Sequence, residues 1–202
     1  VSLVNYSTRE ITCKIVYYGP GRSGKTTNLH YIYGQVPSDR KGKMVSLATQ
    51  TDRTLFFDFL PLDLGTISGY TTKIQLYTVP GQIYYQTTRR LVLQGADGIV
   101  FVADSQARQL EENIESLQDL HANLAEQDID PRSVPLVLQY NKQNLPRELI
   151  LDEGTLDDTL NFRGVPHFSA DALHGPGVFE TLRGISELVL KRLSAPAAAA
   201  RV

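Results

Sequence analysis

The sequence predicts an α/β domain with a central, mostly parallel sheet, one antiparallel edge strand and helices on both faces. Strand-like and helix-like runs alternate along the chain, the pattern that builds a parallel sheet from strand–helix–strand units. A glycine-rich stretch, Gly19-Pro20-Gly21-Arg22-Ser23-Gly24-Lys25-Thr26, stands where the first strand should turn into the first helix. Two β-prone runs around the turn-rich Pro61 to Gly69 give a hairpin signal, which makes one edge of such a sheet antiparallel.

Each element has its own justification. Ile11 to Tyr18 is the first strand, with Ile15, Val16, Tyr17 and Tyr18 apolar and β-prone. Leu29, Ile32 and Tyr33 fall at helical spacing, so the helix opened by the glycine loop runs to about Gln35. A long polar segment follows from Val36 to about Arg53, with room for a short strand at Met44 to Ala48. Leu55 to Leu60 and Thr71 to Val79 are the hairpin runs, and Gly98 to Ala103 is a continuous apolar strand. Leu110, Ile114, Leu117, Leu120 and Leu124 make a helical stripe. Pro135 to Tyr140 and Val165 to Phe168 are two further strands. Val178 to Leu193 is the last helix, with Phe179, Leu182, Ile185, Leu188, Val189 and Leu193 facing inward. These stripes are core. Residues 1–194 form one domain, and Ala195 to Val202 is a small-residue tail expected to fray.

Bulk properties exclude several classes. Twenty basic and 22 acidic side chains leave a formal net charge of −2, which argues against general nucleic-acid affinity. The one cysteine, Cys13, sits in an apolar strand and reads as a buried core thiol. No apolar run reaches membrane-spanning length, and no signal peptide, Met-Gly start or C-terminal prenylation box is present. The chain therefore reads as cytosolic, without a transmembrane segment or lipid anchor.

Residues 19–26 match the phosphate-binding loop G-x-x-x-x-G-K-[ST] in full. Placement carries the meaning: a strand delivers the glycines, a helix begins at the lysine, and backbone N–H groups converge on phosphate oxygens. Gly19, Gly21 and Gly24 also satisfy the dinucleotide fingerprint G-x-G-x-x-G. That reading needs an acidic residue ending a second strand about 20 residues on. Asp39 has the spacing but lies in the polar stretch Pro37 to Gly42, and Lys25-Thr26 would have no task. A nucleoside triphosphate fits better, with Lys25 on the β- and γ-phosphates and the Thr26 hydroxyl on Mg²⁺.

Three later motifs narrow the class. Asn141-Lys142-Gln143-Asn144 follows a strand signal and resembles the N-K-x-D base-recognition motif of the Ras-like small GTPases. Ser169-Ala170 stands where those proteins place the S-A loop that touches the guanine carbonyl, and Thr78-Val79-Pro80-Gly81-Gln82 resembles their D-x-x-G-Q segment. Lys14 to Gly19, Asp52-Arg53-Thr54-Leu55-Phe56-Phe57-Asp58-Phe59 and Tyr77 to Gln82 are similar to the bacterial polarity GTPases of the MglA type, which also carry threonine at the position of Thr78.

The resemblance implies a Ras-like fold and a GTP-binding switch that hydrolyses GTP to GDP slowly and is stimulated by a partner. Its phosphate end comprises Gly19, Gly21, Arg22, Ser23, Gly24, Lys25, Thr26 and Thr27, joined by Thr54 and Gly81. Its base end comprises Asn141, Lys142, Asn144, Ser169 and Ala170. Thr26 and Thr54 are the implied Mg²⁺ ligands. Gln82 orients the water, Lys25 neutralises charge on the phosphoryl group, and Arg53 is an internal arginine finger. Also implied are a roadblock-type activating partner of the MglB kind, polarity and motility effectors, and recruitment of a cytoplasmic protein to a cell pole.

Two residues depart from the general pattern. Asn144 replaces the aspartate that accepts two guanine hydrogen bonds, which leaves one donor poorly paired and predicts weaker binding and faster exchange. Thr78 replaces the carboxylate that holds a metal-bound water, and Asp58 or Asp52, close in sequence to Thr54, is the expected substitute. A nucleotide-occupied scaffold with lost hydrolysis and relaxed base choice is the alternative that Asn144 speaks for. A metabolic P-loop kinase would need an arginine-bearing lid and an acceptor site, and neither is visible.

Overall fold

Strand β2 (Glu10–Tyr18) runs through the middle of the sheet and carries the phosphate-loop sequence at its end. The computed structural model describes residues 3–47, 57–67, 69–82 and 85–194. The remaining strands are β1 (Leu3–Asn5), β3 (Val45–Leu47), β4 (Phe57–Ile67), β5 (Tyr70–Thr78), β6 (Gly98–Asp104), β7 (Leu136–Asn141) and β8 (His167–Ser169). Five α-helices are described: α1 (Lys25–Gln35), α2 (Gln86–Leu93), α3 (Leu110–Ala125), α4 (Glu153–Leu160) and α5 (Val178–Ser194). The strand order is β3-β4-β5-β2-β6-β7-β8, and β1 pairs β2. Pairings from β5 across to β8 are parallel, whereas β3–β4, β4–β5 and β1–β2 are antiparallel. This is the expected mixed sheet, with an antiparallel edge two strands wide.

Alternation along the central strands fills a core on each face. Cys13, Ile15 and Tyr17 of β2 meet Leu29 and Ile32 of α1 and Val178, Leu182, Ile185 and Val189 of α5. Val16 and Tyr18 face the other way, against Leu93 of α2, Leu117, Leu120 and Leu124 of α3, and Leu156 of α4. Strand β6 is buried along its whole length, Val100 and Val102 facing one layer and Ile99 and Phe101 the other. That is why its sequence is apolar without alternation. Cys13 is buried and free, and burial pushes its thiol up to about 11.

Three expectations need correction. The run Pro61 to Gly69 is mostly strand, because β4 continues to Ile67 and pairs Ile67 with Tyr70. Pro61 is tolerated because its carbonyl accepts from Gly42 N at 2.9 Å, so its missing N–H faces that side and not the β5 ladder. Phe179 is 36% exposed and packs edge-on against Tyr31 instead of entering the core. Val165 precedes β8, which spans only three residues. Strand β1 and helices α2 and α4 had no sequence signal strong enough to predict them. Helix α4 is short and owes its start to Asp152, whose carboxylate accepts from Thr155 N at 3.0 Å.

Candidate nucleotide-binding site

Parallel strands β2, β5, β6 and β7 end along one side of the sheet, where an α/β fold gathers ligand-binding loops. Glycine loop 19–24 follows β2, and Gly24, at φ 103°, starts α1. A Cβ there would stand 2.1 Å from Asn141 Nδ2, so both backbone conformation and space demand glycine. Asn141, 2% exposed, donates from Nδ2 to Ser23 O at 2.7 Å and accepts from Ala172 N at 2.9 Å. One buried amide thus ties the glycine loop to the loop after β8. No side chain caps α1, which leaves its first N–H groups for another acceptor. Ser23 Oγ is buried without a hydrogen-bond partner among the described residues.

Lys25 is 6% exposed and donates to Gly19 O at 2.9 Å and Pro20 O at 2.5 Å. Burial first, and then the positive charge of Arg89, pull its ammonium down to about 7. A Cβ on Gly21 would meet nothing closer than Gly81 O at 3.8 Å. The fold itself makes no demand for glycine at 21. Arg22 is exposed, with φ 62°, and Thr27 lies on the base side of the loop.

Thr26 leads to an arrangement that the linear sequence only hinted at. Its hydroxyl donates to Asp58 Oδ2 at 2.6 Å. Thr78 Oγ1 donates to the same oxygen at 2.9 Å and accepts from Asp58 N, also at 2.9 Å. Ser46 Oγ donates to Oδ1 at 2.7 Å. Asp58 sits on β4 one step beyond the paired Phe59 and Tyr77, which places its carboxylate beside the end of β5. The donor set is one carboxylate and three hydroxyls, all hard oxygen. No group of three or more His, Cys, Asp or Glu that could cage a metal occurs among the described residues. Such a set fits a cation like Mg²⁺, which takes one or two carboxylates and completes its shell with phosphate and water.

Gly81 packs directly against the glycine loop, where a Cβ would fall 2.3 Å from Gly21 N. Gln82 follows and is exposed. A cavity of about 630 Å³ lies beside it, lined by Gly19, Gly21, Gly81, Gln82, Arg89 and Asp119 among others. Arg53 and Thr54, expected in this region, lie outside the described residues, as does Asp52.

At the base end, a smaller cavity of about 280 Å³ is lined by Thr27, Asn141, Lys142, Asn144, Asp171 and Leu173 among others. Lys142 adopts φ 72° and pairs through Nζ with Asp104 Oδ2 at 2.5 Å, a carboxylate almost wholly buried at the end of β6. Asn144 is exposed. Ser169 and Ala170 are not on this cavity, contrary to expectation. Ala170 N donates to Tyr140 O at 2.9 Å, which extends the β7–β8 ladder, and Ser169 Oγ donates to Glu153 at 2.6 Å. The lining loop therefore starts two residues later, at Asp171-Ala172-Leu173, a shift fixed by where β8 ends. Asp104, Asp119 and Arg89 were also missed. Asp104 alone had a signal, as a charge closing an apolar strand. A further cavity of about 810 Å³ includes Ala96, Asp97 and Val189. Ala96 and Asp97 immediately precede β6, and none of the motif residues lines this cavity.

A glycine loop between β2 and α1, with one cavity beside it and a smaller one beside Asn141 and Lys142, on a sheet of this order, defines the class: a Ras-like small GTPase. No family model matches the chain. It is 55% identical over 193 residues to the mutual gliding-motility protein MglA of Myxococcus xanthus (strain DK1622), covering 96% of this chain and 98% of that protein. ADP-ribosylation factor-like protein 6 of Caenorhabditis briggsae is 25% identical over 89% of the chain and 87% of its own length. Its Caenorhabditis elegans counterpart is 24% identical over 88% and 86%. The chain belongs to the MglA family of small GTPases, and it binds and hydrolyses GTP.

Proposed function

We propose that this GTPase is a slow, partner-stimulated switch in which Asp58 takes the metal-side place of the carboxylate absent at Thr78. The observation that carries this reading is the shared bond of Thr26 and Thr78 to Asp58 Oδ2. Lys25 neutralises charge on the β- and γ-phosphates, and the loop amides of residues 19–27 cradle them. Thr26 and Thr54 would hold Mg²⁺, with Asp58 as the carboxylate bonded to Thr26, and the bound ion would supply charge neutralisation at the phosphates. Gly81 offers its N–H to the γ-phosphate, and Gln82 aims the nucleophilic water. Arg53 is the internal finger brought in by a roadblock-type partner.

Lys142 and Asn141 hold the base from the β7 side, with Asp171-Ala172-Leu173 opposite. Asn144 offers the base one acceptor where a carboxylate would offer two, which supports weaker guanine selection. The likeness to the gliding-motility protein of Myxococcus xanthus supports a role in surface motility, and the family resemblance of the motifs extends that role to polarity, with recruitment to a cell pole. Affinity and turnover for GTP, ATP and XTP, with and without a roadblock homodimer, test the whole reading. GTP binding no tighter than ATP would overturn the guanine assignment, and turnover unchanged by the partner would overturn the stimulation. A nucleotide-bound scaffold is the second reading. The bare Asn144 favours it, and multiple-turnover hydrolysis would reject it.

A further inference from the structure

We propose that Arg89 is a positioning residue for hydrolysis, holding the segment that carries Gln82 in register with the phosphate loop. The proposal rests on the reading of Gln82 as the residue that aims the water. Arg89 lies on α2 and is only 6% exposed. A guanidinium buried so deeply requires acceptors. Its Nη1 donates to the Gln82 carbonyl at 2.6 Å, and its Nε stands 2.8 Å from Asp119 Oδ2 on α3 as an ion pair. Asp119 also accepts from the Tyr18 hydroxyl, and Asn123 Nδ2 donates to that hydroxyl at 3.0 Å. Burial and the neighbouring Asp119 raise the Tyr18 hydroxyl above the usual phenol range, so it stays a donor.

Tyr18 is the last residue of β2 and directly precedes Gly19. The contacts therefore close a ring. It runs from Gly19 through Tyr18, Asp119 and Arg89 to Gln82 and Gly81, and Gly81 returns to pack on Gly21. All of these residues but the fully buried Tyr18 line the cavity of about 630 Å³ beside the glycine loop. The Gln82 carbonyl accepts from Tyr85 N at 3.2 Å as well as from Arg89. Two donors on one carbonyl hold the Gln82 backbone in place beside the glycine loop, and with it the point from which its side chain leaves. Only a planar fork spans both acceptors, so lysine cannot replace it. A misplacement of about 1 Å at a reacting centre costs about 10²-fold in rate.

The full chain loaded with GTP gives the test. Arg89→Lys is expected to bind GDP and GTP within about twofold of the parent and to hydrolyse bound GTP about tenfold more slowly in single turnover. Added to Gln82→Leu, it is expected to slow nothing further, because both act on one water. Asp119→Asn, at a partly exposed site, releases the far anchor and gives the same readouts should Arg89→Lys not fold. Parental hydrolysis in these variants, with Gln82→Leu slow, overturns the clasp. A rate loss that adds in full to that of Gln82→Leu, or an equal loss of nucleotide affinity, overturns it too. Parental hydrolysis in Gln82→Leu overturns instead the reading of Gln82 beneath it.

Discussion

Replacing Asp58 by asparagine keeps the side chain's shape and removes its charge. In the structure that charge accepts three hydroxyl bonds, from Thr26 at 2.6 Å, Ser46 at 2.7 Å and Thr78 at 2.9 Å. A hydrogen bond to a charged group is worth about 1.5–3 kcal/mol, against about 0.5–1.5 for a neutral pair. Full additivity over three bonds would overstate the effect, because Thr26 and Ser46 are exposed and water competes for them. A net loss equal to one charge-assisted bond, about 1.5–3 kcal/mol, is the reasonable figure. Since about 1.4 kcal/mol is tenfold, Mg²⁺ should bind the GDP-loaded protein about 10- to 150-fold more weakly. The assay is release of a fluorescent GDP analogue across a series of buffered free Mg²⁺ concentrations. Thr78→Asp alone should not help, because two carboxylates sharing one spot repel and one takes up a proton. Asp58→Asn with Thr78→Asp returns the charge to β5 and should recover most of the loss. A Mg²⁺ affinity within twofold of the parent in Asp58→Asn would refute the assignment.

Three other predictions concern the base, the loop lysine and the finger. Asn144→Asp should tighten GDP by about tenfold to a hundredfold by adding a second charged acceptor; equal affinity in a competition titration would mean that position 144 does not face the base. Lys25 has its ammonium pulled down to about 7, and bound phosphates restore the protonated form, so nucleotide affinity should fall up to tenfold per pH unit above that value. Calorimetry at pH 8.5 in buffers of different protonation heat should show close to one proton taken up per GDP, and no uptake would reject the lowered value. By the same linkage the nucleotide-free protein should gain stability as pH rises from about 7 towards the ordinary lysine range, because the unfolded chain holds the extra proton there. Arg53→Ala should keep nucleotide binding and lose most of the roughly 10³- to 10⁵-fold stimulation that an arginine finger supplies; unchanged stimulated turnover removes Arg53 from the mechanism.

Most of the fold was legible because its central strands are buried on both sides. The runs at 11–18, 98–103 and 135–140 are apolar apart from Thr12, Lys14 and Gln139, because they fill the two cores. What escaped is what tertiary contact decides. Helix α2 is eight residues long, and its buried positions include Thr88 and Arg89, so its stripe does not read as apolar. Pro61 looked like a turn because sequence does not tell which side of a strand a missing N–H will face. Phe179 matched the helical period of α5, yet it lies outside the core against Tyr31, at the rim where α1 and α5 meet.

The site divides the same way, between groups that a loop sequence holds together and groups that only the sheet does. Gly19 to Thr26 is contiguous, and its glycines announce its backbone. The carboxylate beside Thr26 is not contiguous with it: the two lie 32 residues apart in the chain and 2.6 Å apart in space. On the proposed reading, register lets a small GTPase carry threonine at 78 without losing the charge. Neighbouring strands of an antiparallel pair set opposite side chains about 4.5–5.5 Å apart, so a carboxylate moved from the end of β5 to the facing residue of β4 stays within hydrogen-bond reach of the same threonine. Thr78 then serves the arrangement as a donor, and a donor there is what an aspartate at 78 could not provide. On that reading the threonine at 78 and the aspartate at 58, which share two hydrogen bonds, are one feature. A chain keeping Thr78 without Asp58 should hold Mg²⁺ poorly, and a chain keeping both carboxylates should fold them against their mutual repulsion.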